Sequence, residues 1–267
     1  YDKRIRQRDI ILKQSVSKDM KKISVIILLY NSKMYLPFCF QSLREQTFQD
    51  FDVLAIDNGS IDGSFEWMKK FEPKITIVRN RENLGFAKAN NQGIYWTSGE
   101  YLFFLNADMV IDSDVFEKLI SFCESAQNEV AAVMPKIFYW NFSDVLEKYG
   151  SLSGHDLSPL SIDRRNIPGQ TDQIDSLGLT IEKSHRVKEL GGGAVREQVV
   201  QAEPVEIFGP SGAAFLIKRK ALYDVATPSF EILRSKRENG DKKQEFFDED
   251  FFIYKEDVDL AYRMRSR

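Results

Sequence analysis

Between Lys22 and Ala126 short apolar runs alternate with amphipathic stretches, and this alternation constrains the fold more than any other feature of the chain. Ile23–Leu29 reads as a buried strand, 32–46 as helix, Phe51–Asp57 as a second strand and 64–70 as helix. Residues 75–79 read as strand, 87–97 as helix and 101–105 as strand; 113–126 reads as a helix opened by a Ser113 N-cap, with Asp114 and Glu117 in its first turn. Strands alternating with helices in this way predict an α/β fold with a mostly parallel sheet covered on both faces. Such a sheet binds ligands at the carboxyl ends of its strands.

Those ends carry Asp and Asn. Tyr30-Asn31 follows the first strand, Asp57-Asn58 the second, Asn80 and Asn83 the third, and Asn106-Ala107-Asp108 the fourth. Taken alone, Asp57-Asn58-Gly59-Ser60 reads equally well as turn chemistry; the convergence of all the ends is what points to a ligand pocket. A carboxylate such as Asp108 at a strand end suits a hard divalent cation that keeps waters and takes its other ligands from substrate phosphates. A second carboxylate elsewhere would then deprotonate an acceptor.

Past residue 130 the pattern changes. Residues 130–135 read as another buried strand, and 141–205, polar and broken by Pro168-Gly169 and Gly191-Gly192-Gly193, read as an irregular insertion with short β pieces such as 174–181, not as a second domain. His155 and His185 lie there and read as surface residues. Small residues at 209–214 let backbone or ligand approach closely before a strand at 215–217. The mixed charges of 234–245 read as a mobile lid or surface loop, not as a nucleic-acid patch. In 246–263 acids stand among Phe and Tyr. Glu256, Asp257 and Asp259 suit the first turn of a helix, and Asp259 and Arg263 form an i,i+4 pair. Capping accounts for part of this; the aromatic surroundings would also bury the acids and raise a carboxyl toward the range of a general base.

The composition sets bounds. With 267 residues, 43% apolar and 29% charged, the chain can bury one sizeable core, which excludes disorder, collagen and disulfide scaffolds. The formal charge of −3 gives no global attraction to nucleic acid. Cys39 and Cys123 lack metal-ligand spacing and read as buried free thiols, which fits a reducing, cytosolic compartment. The longest apolar run, 23–30, is far short of the roughly 20 residues that span a bilayer. Residues 1–22 are basic in places and read as a solvated lead-in helix in preference to a membrane-surface one. The chain starts at Tyr1, not Met, and stops in what reads as an unfinished helix, so a fragment is expected at both ends. GxxxxGK[ST], GxGxxG, GxSxG and HExxH patterns are absent from the chain.

Together these residues resemble the inverting glycosyltransferases of family 2, of GT-A fold, and within them the rhamnosyltransferase-like branch. The resemblance runs over 23–265 and is carried by ISVIILLYNS at 23–32, VLAIDNGSIDGS at 53–64 and NRENLGFAKANNQGI at 80–94. It continues in YLFFLNADMVID at 101–112, FGPSGAAFLIKRKAL at 208–222 and FFDEDFFIYKEDVDLAYRMR at 246–265. Each is weak alone; all six in order are specific. The expected organisation is a lead-in at 1–22 and a GT-A domain over 23–267, truncated before the strand and the metal-binding His that in the family follow the last helix.

The resemblance implies roles. Asp57 looks like the residue toward the nucleotide base, with Tyr30, Asn31 and Asn58 beside it, while Asn83, Gly85, Phe86 and Asn90 look like the lining of the donor's ribose and pyrophosphate. Asn106-Ala107-Asp108 stands where the family has its DxD motif. Asn106 replaces the first Asp, a variant this branch often uses, and Asp108 is implied as the ligand of Mg²⁺ or Mn²⁺. Gly212 and Ala213 look like the turn beside sugar and acceptor. Glu256-Asp257 looks like the family's ED motif, with Asp257 preferred to Glu256 as the catalytic base. One in-line displacement then inverts the anomeric carbon. The implied donor is dTDP-rhamnose first and a UDP-sugar second. The acceptor is a cell-surface glycan or lipid-linked saccharide, which puts the protein at the cytoplasmic face of a membrane, touched by residues 3–22. Two alternatives stay open: a sugar-1-phosphate nucleotidyltransferase, for which Tyr30-Asn31-Ser32-Lys33 is a poor phosphate loop, and a degenerate sugar-binding domain.

Overall fold

The computed structural model describes residues 10–12, 20–126, 130–149, 168–199, 203–228 and 244–267. Its centre is a seven-stranded sheet made from β1 (Ile10–Leu12), β2 (Ile23–Leu29), β3 (Phe51–Asp57), β4 (Thr76–Arg79), β5 (Tyr101–Asn106), β6 (Ala132–Val133) and β11 (Ala214–Lys218), in the order β1-β4-β3-β2-β5-β11-β6. The inner four, β4, β3, β2 and β5, are mutually parallel; β1 and β11 pair antiparallel at either flank, and β6 antiparallel to β11. The expected mostly parallel α/β sheet is therefore the observed one.

Period-two alternation splits each strand between two cores. Ile23, Val25, Ile27 and Leu29 face α1 (Leu36–Arg44), α2 (Ser64–Phe71) and α4 (Val115–Ser125) through Phe40, Met68 and Phe116. Ile26 faces the other way, to α3 (Phe86–Trp96), α6 (Arg219–Asp224) and α7 (Glu256–Arg265) through Ala89, Leu222 and Leu260. On that side Phe104 stacks on Phe215 with centroids 4.9 Å apart. Both are buried, and each such side chain contributes about 2 kcal/mol by leaving water. Because both faces are covered, the strands read as continuous apolar runs. Cys39 and Cys123 are buried free thiols, as expected.

Several expectations change. Ile10–Leu12 is an edge strand bonded to β4 and not part of a lead-in helix, because the exposed edge of β4 offers unpaired backbone groups that an apolar extended tripeptide satisfies; residues 1–9 and 13–19 lie outside the described residues. Helix α1 starts at Leu36, one residue before Pro37, a position where a missing N–H costs nothing. The Ser32 N–H instead donates to the Ser64 hydroxyl oxygen at 3.0 Å. The N-cap of α4 is Asp114, and it makes no side-chain cap bond; Ser113 gives its carbonyl to the Thr47 N–H at 2.7 Å. The strand expected over 130–135 is only Ala132–Val133, half-buried at the sheet edge.

The insertion contains β7 (Ile137–Trp140), α5 (Phe142–Tyr149), β8 (Gln170–Ser176), β9 (Leu179–Ile181) and β10 (Val187–Glu189). β7 pairs with β8 and β9 with β10. The single piece expected over 174–181 is broken at Leu177-Gly178, where Gly178 takes φ +111°. His185 is exposed at the β9–β10 turn, whereas His155 lies outside the described residues. Of the loop expected over 234–245, only Gln244 and Glu245 are described; they form β13 (Gln244–Glu245) against β12 (Thr227–Pro228). Among the described residues no helix is long and apolar enough to cross a membrane.

Candidate functional site

The ends of β2 and β3 are joined by side chains. Asn31, at φ +50°, accepts the Ile61 N–H on Oδ1 at 3.0 Å and donates its own N–H to Ser60 Oγ at 3.0 Å. Ser60 N–H in turn donates to Asp57 Oδ1 at 3.1 Å. Asp57 is wholly buried, with Arg79 Nε 3.0 Å from Oδ2. Burial pushes this carboxyl up, against the opposing pull of the Ser60 bonds and the Arg79 charge, so desolvation is the larger effect. Tyr30 is half exposed at the rim. Arg79 is a residue of this site that the linear sequence did not single out, and Ser60 was read only as part of a turn.

Asn58 is an organiser of the next loop. Its Nδ2 donates to Asn83 Oδ1 at 2.8 Å and to the Gly85 carbonyl at 3.2 Å, while its Oδ1 accepts Asn80 Nδ2 and the Leu84 N–H, each at 3.0 Å. With only 2% of its surface exposed, it is saturated inside the protein. Asn90 is also buried and turns back to the Phe86 carbonyl at 3.0 Å. These two expected donor-site residues thus build the loop's shape, whereas Asn83 and Phe86 keep partial exposure. Gly85 has φ +81°, and a Cβ there would lie 2.4 Å from the Phe252 carbonyl oxygen, so only glycine lets the two chains approach. The Phe86 N–H donates to that same carbonyl at 2.7 Å.

The far wall is formed by the turn before β11 and the start of α7. Gly212 N–H donates to Asp257 Oδ2 at 3.1 Å, and Asp257 Oδ1 accepts Val258 N–H at 2.7 Å. A methyl built on Gly212 would lie 3.6 Å from Asp257 Oδ2, 3.7 Å from Glu256 Oε1 and 3.7 Å from the ζ carbon of Phe86, so the start of α3 and the acidic helix converge on this glycine. One residue on, the Ala213 carbonyl accepts the Asn106 N–H at 2.9 Å, tying the turn to the end of β5. Tyr254 and Lys255, at φ +71° and +76°, deliver the chain into α7. Non-glycine residues in this region carry strain, which clusters at functional sites.

The two acids of the pair differ. Glu256 is 5% exposed, and its Oε2 has no hydrogen-bond partner among the described residues. Burial pushes its carboxyl up to about 7, with Asp257 adding to the rise. Asp257 is partly exposed and held by backbone donors. Asp108 stands exposed at the end of β5; partial desolvation raises its carboxyl, and the charge of Asp175 on β8 adds to the effect. Among the described residues no group of three or more His, Cys, Asp or Glu is arranged to hold a metal ion. The insertion supplies two acids that sequence reasoning missed, Asp175 and Glu189. Glu189 accepts the Ser176 hydroxyl on Oε2 and the Ser211 hydroxyl on Oε1, the latter at 3.3 Å.

Comparison with known proteins gives this geometry a context. A family model described as "Glycosyl transferase family 2" matches residues 24–181, more than half of the chain. The chain is 33% identical over 113 residues to Glycosyltransferase GlyA of Streptococcus pneumoniae, covering 41% of this chain and 16% of that protein. It is 30% identical over 115 residues to the Poly(ribitol-phosphate) beta-glucosyltransferase of Bacillus spizizenii, covering 41% of this chain and 18% of that protein. The matches span about a third or less of the curated relatives' own length. The crystal structure of S. aureus TarS 1-349 aligns over 91% of this chain and 55% of that one with a TM-score of 0.52 at 17% identity, which shows a shared fold.

Proposed function

The chain belongs to glycosyl transferase family 2, and from that premise we propose that it moves a hexosyl or rhamnosyl group from a nucleoside diphosphate sugar to a hydroxyl of a cell-surface glycan or lipid-linked saccharide, with inversion at the anomeric carbon. In this reading residues 23–267 act as one transferase domain. Asn31, Asp57 and Tyr30 take the nucleoside, Asn83, Gly85 and Phe86 the ribose and diphosphate, and Asn58 and Asn90 hold that loop in shape.

The observation that carries the proposal is the placement of Asp257. Backbone donors hold this partly exposed carboxylate at the Gly212 turn, and the next residue of that turn, Ala213, bonds Asn106 at the end of β5, two residues before Asp108. Asp257 receives the acceptor hydroxyl's proton as the oxygen attacks the anomeric carbon, and the nucleoside diphosphate leaves from the opposite face. Glu256 stands behind it, buried, and is not the base. The name of the Bacillus spizizenii relative, a poly(ribitol-phosphate) beta-glucosyltransferase, supports a glucosyl donor and a polymer as acceptor.

The acids fit a divalent cation of a particular kind. A single exposed carboxylate, with no cage of several acids among the described residues, suits Mg²⁺ or Mn²⁺ that retains waters and completes its shell from the diphosphate. Asp108 would hold it, with Asn106 alongside. Bound there, the ion would neutralise charge on the leaving diphosphate.

The test is release of nucleoside diphosphate from UDP-glucose and from dTDP-rhamnose in the presence of bacterial cell-wall glycan fractions. Asp257→Asn is expected to lower turnover by about 10²–10⁴-fold, the usual worth of a general base, while calorimetric nucleotide binding is retained. Full turnover in that variant overturns the base assignment, and failure of the unaltered protein with every nucleotide sugar overturns the transferase reading.

A further inference from the structure

We infer that Glu189, at the end of β10 in the insertion, is a positioning residue that sets the orientation of Asp257 through Ser211 and the Gly212 amide. The inference rests on Asp257 as the base.

The chain of contacts is short. Ser176, 1% exposed at the end of β8, donates its hydroxyl to Glu189 Oε2, and the Gly178 N–H donates to Ser176 Oγ at 3.0 Å, which fixes the hydroxyl's lone pairs. Glu189 Oε1 accepts the Ser211 hydroxyl at 3.3 Å. Ser211 is itself 9% exposed, and its N–H points to Met134 Sδ at 3.3 Å. The next N–H, that of Gly212, is the one that holds Asp257 Oδ2 at 3.1 Å. Glu189 therefore bridges two nearly buried hydroxyls, one at the end of β8, which leads into the β9–β10 hairpin, and one in the turn that carries Asp257's donor.

The bridge has a role distinct from docking the hairpin. Docking is done by backbone: Leu179 N–H donates to the Gly209 carbonyl at 2.8 Å and Phe208 N–H to the Leu179 carbonyl at 2.9 Å, while Leu177 and Leu190 N–H groups close the hairpin base. These bonds end at Gly209, before Pro210 and Ser211. The last stretch of the turn, where the Gly212 N–H is aimed, is held from the insertion side by the Glu189 carboxylate. Burial raises the Glu189 carboxyl, opposed by its bonds from Ser176 and Ser211, with Asp257 and Asp175 adding to the rise; the Asp257 contribution is consistent with the two acids being close. Loss of the bridge leaves the hairpin docked and lets the Gly212 amide turn away, and small misplacements of a reacting group cost up to about 10²-fold in rate.

The experiment reads the Gly212 amide directly and turnover alongside it. Amide exchange by NMR is measured in the unaltered protein, Glu189→Ala, Ser211→Ala, the double variant and Glu189→Gln, with Leu179 and Leu190 as internal standards. Gly212 protection is expected to fall at least tenfold in both alanine variants and no further in the double variant, while Leu179 and Leu190 keep theirs. Glu189→Gln is expected to restore protection, because its amide oxygen and NH₂ can serve both hydroxyls. With UDP-glucose or dTDP-rhamnose as donor, kcat should fall about tenfold in the alanine variants at a donor KM unchanged within twofold. Unchanged Gly212 protection, or additive losses in the double variant, overturns the inference. If protection falls as described but Asp257→Asn still turns over normally, the base assignment fails and the contact chain stands; if Asp257→Asn is inactive and Gly212 is unmoved, the reverse holds.

Discussion

Asp57 and Arg79 are register partners at the carboxyl ends of β3 and β4, and Arg79 Nε stands 3.0 Å from Asp57 Oδ2. The acid is completely buried, whereas the guanidinium keeps part of its surface in solvent and also donates to the Ser60 carbonyl at 3.0 Å. Arg79 thus brings a counter-charge and closes the Asp57–Ser60 turn. Arg79→Met should cost about 3 kcal/mol at pH 8, the usual penalty for leaving a buried charge unpaired. A carboxyl already raised by burial rises further without its partner, so the folded state keeps its proton to higher pH than the unfolded chain. The loss should accordingly shrink as pH falls. Urea unfolding at pH 8 and pH 5 measures both, and a loss under about 0.5 kcal/mol at pH 8 would show that the ion pair contributes nothing.

Glu256 predicts the opposite outcome for its own substitution. Its folded carboxyl holds a proton up to about 7, against an ordinary value of 4.5. Stability from that raised value is fully present below pH 4.5 and is lost as pH rises through 7. Glutamine mimics the protonated acid at every pH. Glu256→Gln should therefore match the unaltered protein near pH 4 and exceed it at pH 8 by up to about 3 kcal/mol, since displacing a carboxyl's titration by one pH unit is worth roughly 1.4 kcal/mol. Paired thermal melts across that range test it; a constant difference would mean Glu256 is already ionised in the folded protein.

How much of this was legible in the sequence follows from the physics of each element. The inner strands were, because a sheet buried on both faces writes continuous apolar runs: Ile23–Leu29 and Phe51–Asp57 stand with the bounds their sequence pattern suggests. β1 was not, since three residues carry no periodicity and are selected by the open edge of β4. Asp57, Asn58 and Asp257 announced themselves as polar residues at strand and helix ends, but their partners come from other elements: Arg79 from the neighbouring strand, Asn80 from the loop after that strand, Gly212 from 45 residues upstream. Nothing local marks Arg79 or Glu189, because a contact across the sheet or out of an irregular insertion leaves no spacing rule in the chain. The sequence pattern puts Asn58 among the nucleotide contacts, whereas the structure shows its side-chain hydrogen bonds going to Asn80, Asn83, Leu84 and Gly85.

Asn58→Ala tests that reassignment. The substitution takes the Asn58 partner from the Leu84 N–H and removes one of the two bonds at Asn83 Oδ1 and at Asn80 Nδ2, which keep Gly85 N–H and Gln92 Oε1; an unsatisfied buried group costs about 1–3 kcal/mol. A destabilisation of at least about 2 kcal/mol is expected, with UDP binding weakened only as far as the Gly85 loop loses its shape. Asn58→Asp should be tolerated poorly as well, since it replaces two donors with acceptors facing Asn83 Oδ1 and the Gly85 carbonyl. If Asn58→Ala leaves chemical denaturation unchanged while abolishing nucleotide binding, Asn58 is a ligand contact after all.

Asp108 carries the last prediction. A lone exposed carboxylate binds a divalent cation weakly, but the same carboxylate and a diphosphate together complete a shell, so metal and nucleotide should each strengthen the binding of the other by the same factor. Calorimetric titration with UDP and with dTDP is expected to show at least tenfold tighter binding in Mn²⁺ than in EDTA. Asp108→Ala should lose this gain yet keep the metal-free affinity, because the nucleoside contacts proposed at Asn31 and Asp57 lie at the ends of other strands. Burial and the Asp175 charge raise the Asp108 carboxyl, so protons compete with the cation and the Mn²⁺ gain should fade as the pH is lowered. Asp175→Asn removes one cause of the rise and should carry the gain to lower pH. An equal Mn²⁺ gain in Asp108→Ala would mean that the ion is held by other residues, and the metal assignment would fall while the nucleoside pocket stood.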